Sequence, residues 1–587
     1  MLVVLLSWLS HFVVFKTWGN IACRILKIKG INWFNELLMG YCFLSIVSAL
    51  FALFLPVNAW VHLSLFILSL IYLIVHKIDF NFILKADKPS LFFYLLIGIC
   101  VLILALPEPN HGDSSFYHAQ ALQWIEQYKA VPGLANLFGR LGFNSSFFNV
   151  QALFSFYPFS NVSARFLNSF LVLIWAIFLF QNILNKSFPL KERLLSLSFI
   201  IISLTVSRGW VSSVAPDVAV GIFMLVIGFY MIRNLPHLRF NGTGSQPHLQ
   251  WRGGFVSPNF LYILLATAIT IKLSALFLLP IVAGFNILQK KANHTLFVIS
   301  GFIGMVWVIR NIIISGYLVY PYLPMPFVNL DWAVTTEQAQ IEKNWISSWA
   351  KIPSESWEYV LSLSFAEWFL KWFALQSLFN KILTFAMSFA WLNIIFMMIK
   401  RLVQKQPLSI ALKLLFLWGV VINIWIFIAP DYRFAYGFIW PFMIGFVFLQ
   451  HPLFCLIRPT GSFSTGEGKW QFINMGFWYK LFQKYFYKKT NNNLIIEVGK
   501  YAYLLLLIGF TVYVIQKQSI LLTHLVMIPE PYKTVKTYGL KLNENLIHIA
   551  PIENNCNNTC IPCVNADLIP KGLEMRGEKI ENGFRNK

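Results

Sequence analysis

Charge is scarce in this chain, and acidic charge scarcest. Of 587 residues only 12% are Asp, Glu, Lys or Arg, about half the share of a soluble domain. There are 24 acidic residues against 46 Lys and Arg, a net charge of +22. Cysteine is rare too, at seven. No P-loop and no Rossmann fingerprint occurs, so no nucleotide-phosphate cradle is expected. The N-terminal apolar run has no basic stretch before it; its charges follow it. A cleaved leader is thereby disfavoured and a retained first helix expected. A basic excess can signal nucleic acid, but here the basic residues fall between apolar runs. They read as loop charge that sets topology, and no nucleic-acid partner is expected.

What is abundant is apolar and aromatic: 57% hydrophobic, 17% Phe, Trp and Tyr, and a mean hydropathy of +0.64. A spanning helix needs roughly 17–25 apolar residues. About fourteen candidates stand near 2–15, 37–55, 60–76, 91–106, 166–184, 193–207, 216–232, 259–271, 273–288, 295–314, 378–398, 410–429, 434–450 and 500–516. The eighth and ninth run together through Lys272 and can be one bent element. The expected fold is an all-α polytopic membrane protein with 12–14 spans. A multispanning domain covers 1–516 and a small tail covers 517–587.

Alternate connections carry the basic residues. They include Lys16, Arg24 and Lys27, then Lys77 to Lys88, Lys186 to Arg193, Arg233 to Arg252, Lys290 and Lys291, Lys400 to Lys405, and Arg458 to Lys489. The positive-inside rule puts these in the cytoplasm and both termini outside. Two outer segments, 107–165 and 315–379, mix aromatic with charged residues, as interfacial amphipathic helices do. Ala121, Trp124 and Ile125 share one such face; Ile341, Trp345, Ser348 and Trp349 share another. The tail is polar, with a turn at Pro529–Tyr532 and a last stretch, EMRGEKIENGFRNK, that reads as a frayed end.

Ionisable residues at membrane depth are costly and point to function. Five groups fall on the expected outer side. In HGDSSFYH, Asp113, Tyr117 and His118 follow the fourth run. Asp113 can act as a general base or bind a cation; equally, it can cap the helix starting at Ser114. Asp217, after Pro216, suits the positive end of the next helix and can pair with Arg208. Lys272 either snorkels or meets an anion. Arg310 and Asn311 lie inside a span, where a guanidinium needs an anion such as phosphate. Asp431 and Arg433 stand in a short turn and can pair with each other. Together these carboxylates and cations make the inventory for holding an anionic lipid headgroup and deprotonating an acceptor.

The set HGDSSFYHAQALQWIEQY, IKLSALFLLP, RNIIISGYLVYP, DWAV and APDYRFAYG, over about residues 90–450 plus the cysteine-bearing tail, resembles a poorly characterised family of bacterial multispanning proteins. A long first outer loop that opens on an acidic residue resembles GT-C glycosyltransferases, which use polyprenyl-phosphate-linked sugars. That resemblance implies an inverting transferase in the bacterial inner membrane, acting on a periplasmic glycan or lipid acceptor. Asp113 matches the first-loop carboxylate and Asp217 the second acidic position. Tyr117, His118, Lys272, Arg310, Asn311, Asp331 (in DWAV) and Arg433 would serve substrate. Where some members of the class carry two adjacent acids, this chain has Gly112-Asp113, so a divalent cation is allowed and not required. A transporter or flippase of lipid-linked saccharide, or an assembly subunit of an envelope complex, would use the same residues.

Cys23, Cys42, Cys100 and Cys455 read as small hydrophobes in or near helices. Cys556, Cys560 and Cys563 fall in the tail. Zinc would need a fourth ligand, none of which stands nearby. One disulfide among the three is the expectation in an oxidising compartment.

Overall fold

A computed structural model of the chain describes residues 1–28, 31–77, 88–109, 111–159, 165–207, 210–234, 258–288, 294–325, 328–450, 492–518, 535–542, 545–550, 555–565, 568 and 572–586. Most of the basic connections at 78–87, 235–257 and 451–491, with Arg208, Lys290, Lys291, Cys455 and the Pro529–Tyr532 turn, lie outside the described residues.

All fourteen apolar runs are helical. They are α1 (Leu2–Ile25), α2 (Trp33–Phe54), α3 (Ala59–His76) and α4 (Lys88–Leu104). After two short helices of the first long connection, α5 (Ala119–Gln127) and α6 (Ser146–Ala152), come α7 (Leu167–Leu184), α8 (Leu190–Ser207), α9 (Pro216–Asn234) and α10 (Pro258–Ile271). The 3-10 segment Leu273–Leu278 leads into α11 (Leu279–Leu288), and α12 (His294–Ser315) follows. The second long connection holds α13 (Thr336–Lys351), α14 (Trp357–Ser362) and α15 (Phe365–Leu375). The bundle closes with α16 (Leu378–Val403), α17 (Ile410–Ile428), α18 (Tyr432–Gln450) and α19 (Asn492–Gln518). Among the described residues nine helices are long and apolar enough to cross a membrane, and four more are apolar but shorter. By length and composition this is a multispanning membrane protein.

The centre of the bundle is α9, whose side chains from Pro216 to Ile232 are all buried. A helix apolar on every face must be enclosed by others, and α7, α8, α10 and α18 enclose it. Small residues set the spacing. Gly221 faces Val206 of α8, Gly228 faces Pro441 of α18, and Gly437 of α18 faces Met224.

At α1 the structure corrects the sequence reading. Lys16, expected in a basic loop, is inside the helix and buried. It is ion-paired with Glu36 of α2, which also accepts from Asn20 at 2.7 Å. Gly19 and Gly40 have no Cβ to hold the two backbones apart: one on Gly19 would strike the Glu36 carbonyl, and one on Gly40 that of Phe15. A neutralised lysine lets α1 run on for 24 residues.

The first and second long connections meet at one end of the bundle, termed here the capped end. The expected surface helix at Ala121–Ile125 is instead packed: Leu122, Trp124 and Ile125 are buried, as are Gln120, Gln123 and Glu126. The second connection does keep large apolar side chains outside, among them Ile341, Trp349, Phe365, Leu370 and Leu375. The tail covers this end. Strands β1 (Tyr538–Leu542) and β2 (Asn545–Ala550) are antiparallel, and β3 (Cys563–Asn565) joins β2 in parallel. The last stretch is not frayed. Leu573–Met575 pairs with Phe584–Asn586, and Met575 and Phe584 are buried against Trp124, Leu134 and Ile314.

Candidate functional site

Four of the five groups of charged residues come together at the capped end. The segment after α4 turns at His111–Asp113 into a π-helical turn, Ser114–His118, and continues as α5. Asp113 does not cap that helix. Its backbone is helical and its side chain makes no cap hydrogen bond. Its carboxylate reaches Arg433 at the start of α18, Oδ2 to Nη1 at 3.2 Å. Arg433 also meets Asp431, Nε to Oδ2 at 2.8 Å, and donates its backbone N–H to Asp431 Oδ1. The guanidinium thus lies between two carboxylates.

Beside it is a second pair. Between α10 and the following 3-10 segment, Lys272 has an extended backbone (φ −156°, ψ 131°), so the eighth and ninth runs are a broken element. The break turns the Lys272 ammonium onto Asp217 in the first turn of α9, Nζ to Oδ1 at 2.6 Å. The expected partner of Asp217, Arg208, is outside the described residues. Phe434 joins the two pairs: Lys272 Nζ is 4.2 Å and Arg433 Cζ 4.7 Å from its ring centre.

Access differs among these groups. The Asp113, Arg433 and Lys272 side chains are 31%, 23% and 26% exposed, whereas Asp217 is 2% exposed. Asp217 Oδ2 is buried with no hydrogen-bond partner among the described residues. His111, not singled out by the sequence, forms the floor: its Nδ1 accepts from the Asp113 backbone N–H at 3.2 Å, and its ring packs on His118 and Trp210. Nδ1 as acceptor makes this imidazole neutral, with its proton on Nε2.

Burial drives the titration of the histidines. It lowers His118 to about 3 and also lowers His111, against the pull of Asp217 and Asp113 on the latter. For Tyr117, burial and then the Asp113 charge raise the phenol. Burial alone would raise Asp113, but Arg433 leads the neighbours that together hold it below the ordinary carboxylate value. At neutral pH the Asp113 carboxyl is therefore ionised and both imidazoles are neutral.

The other expected site residues lie elsewhere. Asn311 ties the end of α12 to the following strand by donating to the Leu318 carbonyl at 3.1 Å. Asp331 is not at the site; Arg576 of the tail holds it with two hydrogen bonds of 2.7 and 2.9 Å. Arg310 lines a separate small pocket beside α6. Tyr117 and His118 are in the π-helical turn, and His118 is buried beneath Asp113. Sequence reading gave no sign of Phe434 as a bridge or of the tail as a cover. The tail grips this same turn. Asn557 donates its N–H to the Ser115 carbonyl at 2.9 Å, and Gln120 and Gln123 donate to Thr559 and Asn558 at 2.8 and 2.6 Å. A Cys556–Cys563 disulfide closes that tail loop, leaving Cys560 free and exposed.

Among the described residues no group of three or more His, Cys, Asp and Glu converges to hold a metal. Asp113 and Asp217 are each neutralised by a protein cation, so this arrangement does not fit a divalent ion between them. What it can do is exchange partners: an incoming anion can take up Arg433 and Lys272 and free a carboxylate.

The chain belongs to a family described as a domain of unknown function, DUF8201, whose family model matches residues 1–440. That stretch holds every ion pair of the site and stops short of the tail. No curated protein and no solved structure matches the chain.

Proposed function

We propose that the protein is a GT-C-like membrane glycosyltransferase, moving a sugar from a polyprenyl-phosphate donor to an envelope glycan or lipid acceptor. In this reading the fourteen apolar runs make up the 12–14 spans in the bacterial inner membrane. The capped end and both termini face the periplasm. The observation that carries the reading is the meeting of Asp113–Arg433 and Lys272–Asp217 over Phe434, partly open, at the end that also bears apolar surface helices. A lipid donor and a water-soluble acceptor can both reach such a place.

The donor phosphate would engage Arg433 and Lys272. Arg433 suits it because its fork gives two parallel hydrogen bonds. Drawing Arg433 toward phosphate removes the main influence that depresses the Asp113 carboxyl, so its basicity rises as donor binds. Asp113 then takes the proton of the acceptor hydroxyl while that oxygen bonds to the anomeric carbon. The bond from that carbon to the phosphate oxygen breaks, and polyprenyl phosphate leaves with its charge on the two cations. Asp217, deeply buried, keeps Lys272 in place.

The test is purified full-length protein in nanodiscs, offered a panel of polyprenyl-phosphate sugars with sugar transfer as readout. Transfer by wild type that is lost in Asp113→Asn supports the reading. A second reading, transport of a lipid-linked saccharide, draws on the break at Lys272, because transporters place unwound helices at substrate. Movement of the donor across the bilayer without transfer would put that reading first.

A further inference from the structure

Arg310 presents a charge problem that the capped-end cluster does not solve. It sits five residues before the end of α12, about 7–8 Å along the axis at 1.5 Å per residue. It is 7% exposed, and among the described residues no carboxylate pairs with it. Its one hydrogen-bond partner among the described residues is a neutral amide: Nη1 donates to Asn144 Oδ1. Asn144 is itself fixed by α12, donating to the Trp307 carbonyl at 2.8 Å and accepting from the Trp307 indole. The guanidinium Nε is buried with no partner. An intramembrane arginine without a counter-charge is expensive.

The surroundings of this guanidinium have a particular character. Arg310 lines a pocket with Ser45 of α2, Asn149 and Ser146 of α6, and Thr270 of α10. Asn149 is 1% exposed and its Oδ1 has no partner. The amide can turn an N–H into the pocket instead, since its O and N have the same shape. The Ser45 and Thr270 hydroxyls donate to their own helices, at Cys42 and Thr267. No acidic side chain lines the space, and its apolar wall is Ile46, Ala49, Ile303, Val306 and Trp307. The cavity volume is ≈ 10 Å³, about one water-sized sphere and too little for a phosphate tetrahedron.

We infer that the pocket beside Arg310 binds a single small monovalent inorganic anion, chloride, with the guanidinium and the turned Asn149 amide as its donors. A water could satisfy Nε but would leave the charge uncompensated. A chloride ion does both, and is far smaller than a phosphate tetrahedron. The pocket is also coupled to the break at Lys272. Ser146 and Thr270 share a hydrogen bond of 2.9 Å, and Ser145 donates to the Ile271 carbonyl at 2.7 Å. An anion held here braces the strand of chain that aims Lys272 at Asp217. The inference does not depend on the transferase reading.

The experiment is thermal unfolding of the full-length protein in zwitterionic nanodiscs, in sodium gluconate with chloride replacing gluconate at constant ionic strength. The expected result for wild type is a saturable rise of a few degrees with chloride. Asn149→Asp, which places a carboxylate in the pocket and keeps Arg310, should lose the chloride response and melt in gluconate at or above the wild-type temperature. Arg310→Gln should lose the response as well; if it does not fold, Asn149→Asp still decides. Equal wild-type melting in chloride and gluconate would overturn the site. A wild-type chloride response retained in Asn149→Asp would do the same. A response to inorganic phosphate and none to chloride would overturn the size assignment.

Discussion

Two clusters of buried charge can be set side by side. At α1 and α2 the Lys16–Glu36 pair is 8% exposed on each side, and Asn20 takes a glutamate oxygen. The helices cross at Gly19 and Gly40, leaving no room beside it. At the capped end the Asp113–Arg433 and Lys272–Asp217 pairs keep a quarter to a third of three side chains open, and among the described residues Asp217 Oδ2 has no hydrogen-bond partner. Burial of charge at membrane depth is common to both, so burial alone does not mark a site. What separates them is residual capacity. The α1–α2 pair has its oxygens committed and no access, as a fastener does. The capped-end pairs keep their cations and the Asp113 carboxylate partly exposed, as a binding site does.

The sharpest way to break this contrast is a matched pair of carboxylate-to-amide changes. On the proposed transferase reading, Asp113→Asn should reduce transfer about 10²–10⁴-fold, the usual effect of losing a general base, with normal membrane abundance because Asp113 caps nothing. Glu36→Gln should do the reverse. Removing one partner of a buried pair costs roughly 3–5 kcal/mol, which unfolding measurements would read, while surviving protein keeps its rate per molecule. Lys16→Met combined with Glu36→Gln should recover most of that stability, because no unpaired charge remains. If Glu36→Gln instead abolishes transfer in fully folded protein, the fastener is part of the site.

A pH titration sharpens the capped end alone. His118 falls to about 3 on burial, so below the ordinary 6.5 the unfolded chain binds a proton that the folded chain refuses. Its contribution to stability is complete above pH 6.5 and is lost as pH falls from there toward 3. Unfolding midpoints from pH 7 to 4 should decline, with a shallower slope in His118→Gln. An unchanged slope would place the proton uptake elsewhere.

Smaller effects are expected in the cover. Cys556 and Cys563 are seven residues apart, and a loop that short adds roughly 2–3 kcal/mol in the chain-entropy model. Cys556→Ser should therefore speed limited proteolysis of the tail, and should lower transfer only as far as the grip on Ser115, Gln120 and Gln123 loosens. Smallest of all, Asp331→Asn removes a half-exposed pair with Arg576 and should change stability by less than about 1 kcal/mol. A transfer loss there comparable to that of Asp113→Asn would return Asp331 to the substrate.

By itself the sequence determined the helices. All fourteen apolar runs are helical, because a run of apolar residues can satisfy its backbone only within its own segment. It also marked the charges that matter at the capped end, since an ionisable residue in apolar surroundings is visible without knowing its partner. Whom each charge meets was decided by the tertiary structure alone. Asp113 reads locally as a helix cap, yet its partner Arg433 is 320 residues away. Lys272 and Asp217, 55 apart, meet because the chain breaks between α10 and the 3-10 segment with no glycine or proline to announce it. Lys16 reads as loop charge until Glu36 neutralises it inside the bundle. The polar last residues read as a free end until Phe584 finds Trp124 and the Pro132 carbonyl. Hydropathy is a property of a segment, whereas pairing and accessibility belong to surfaces that exist only once distant segments have packed.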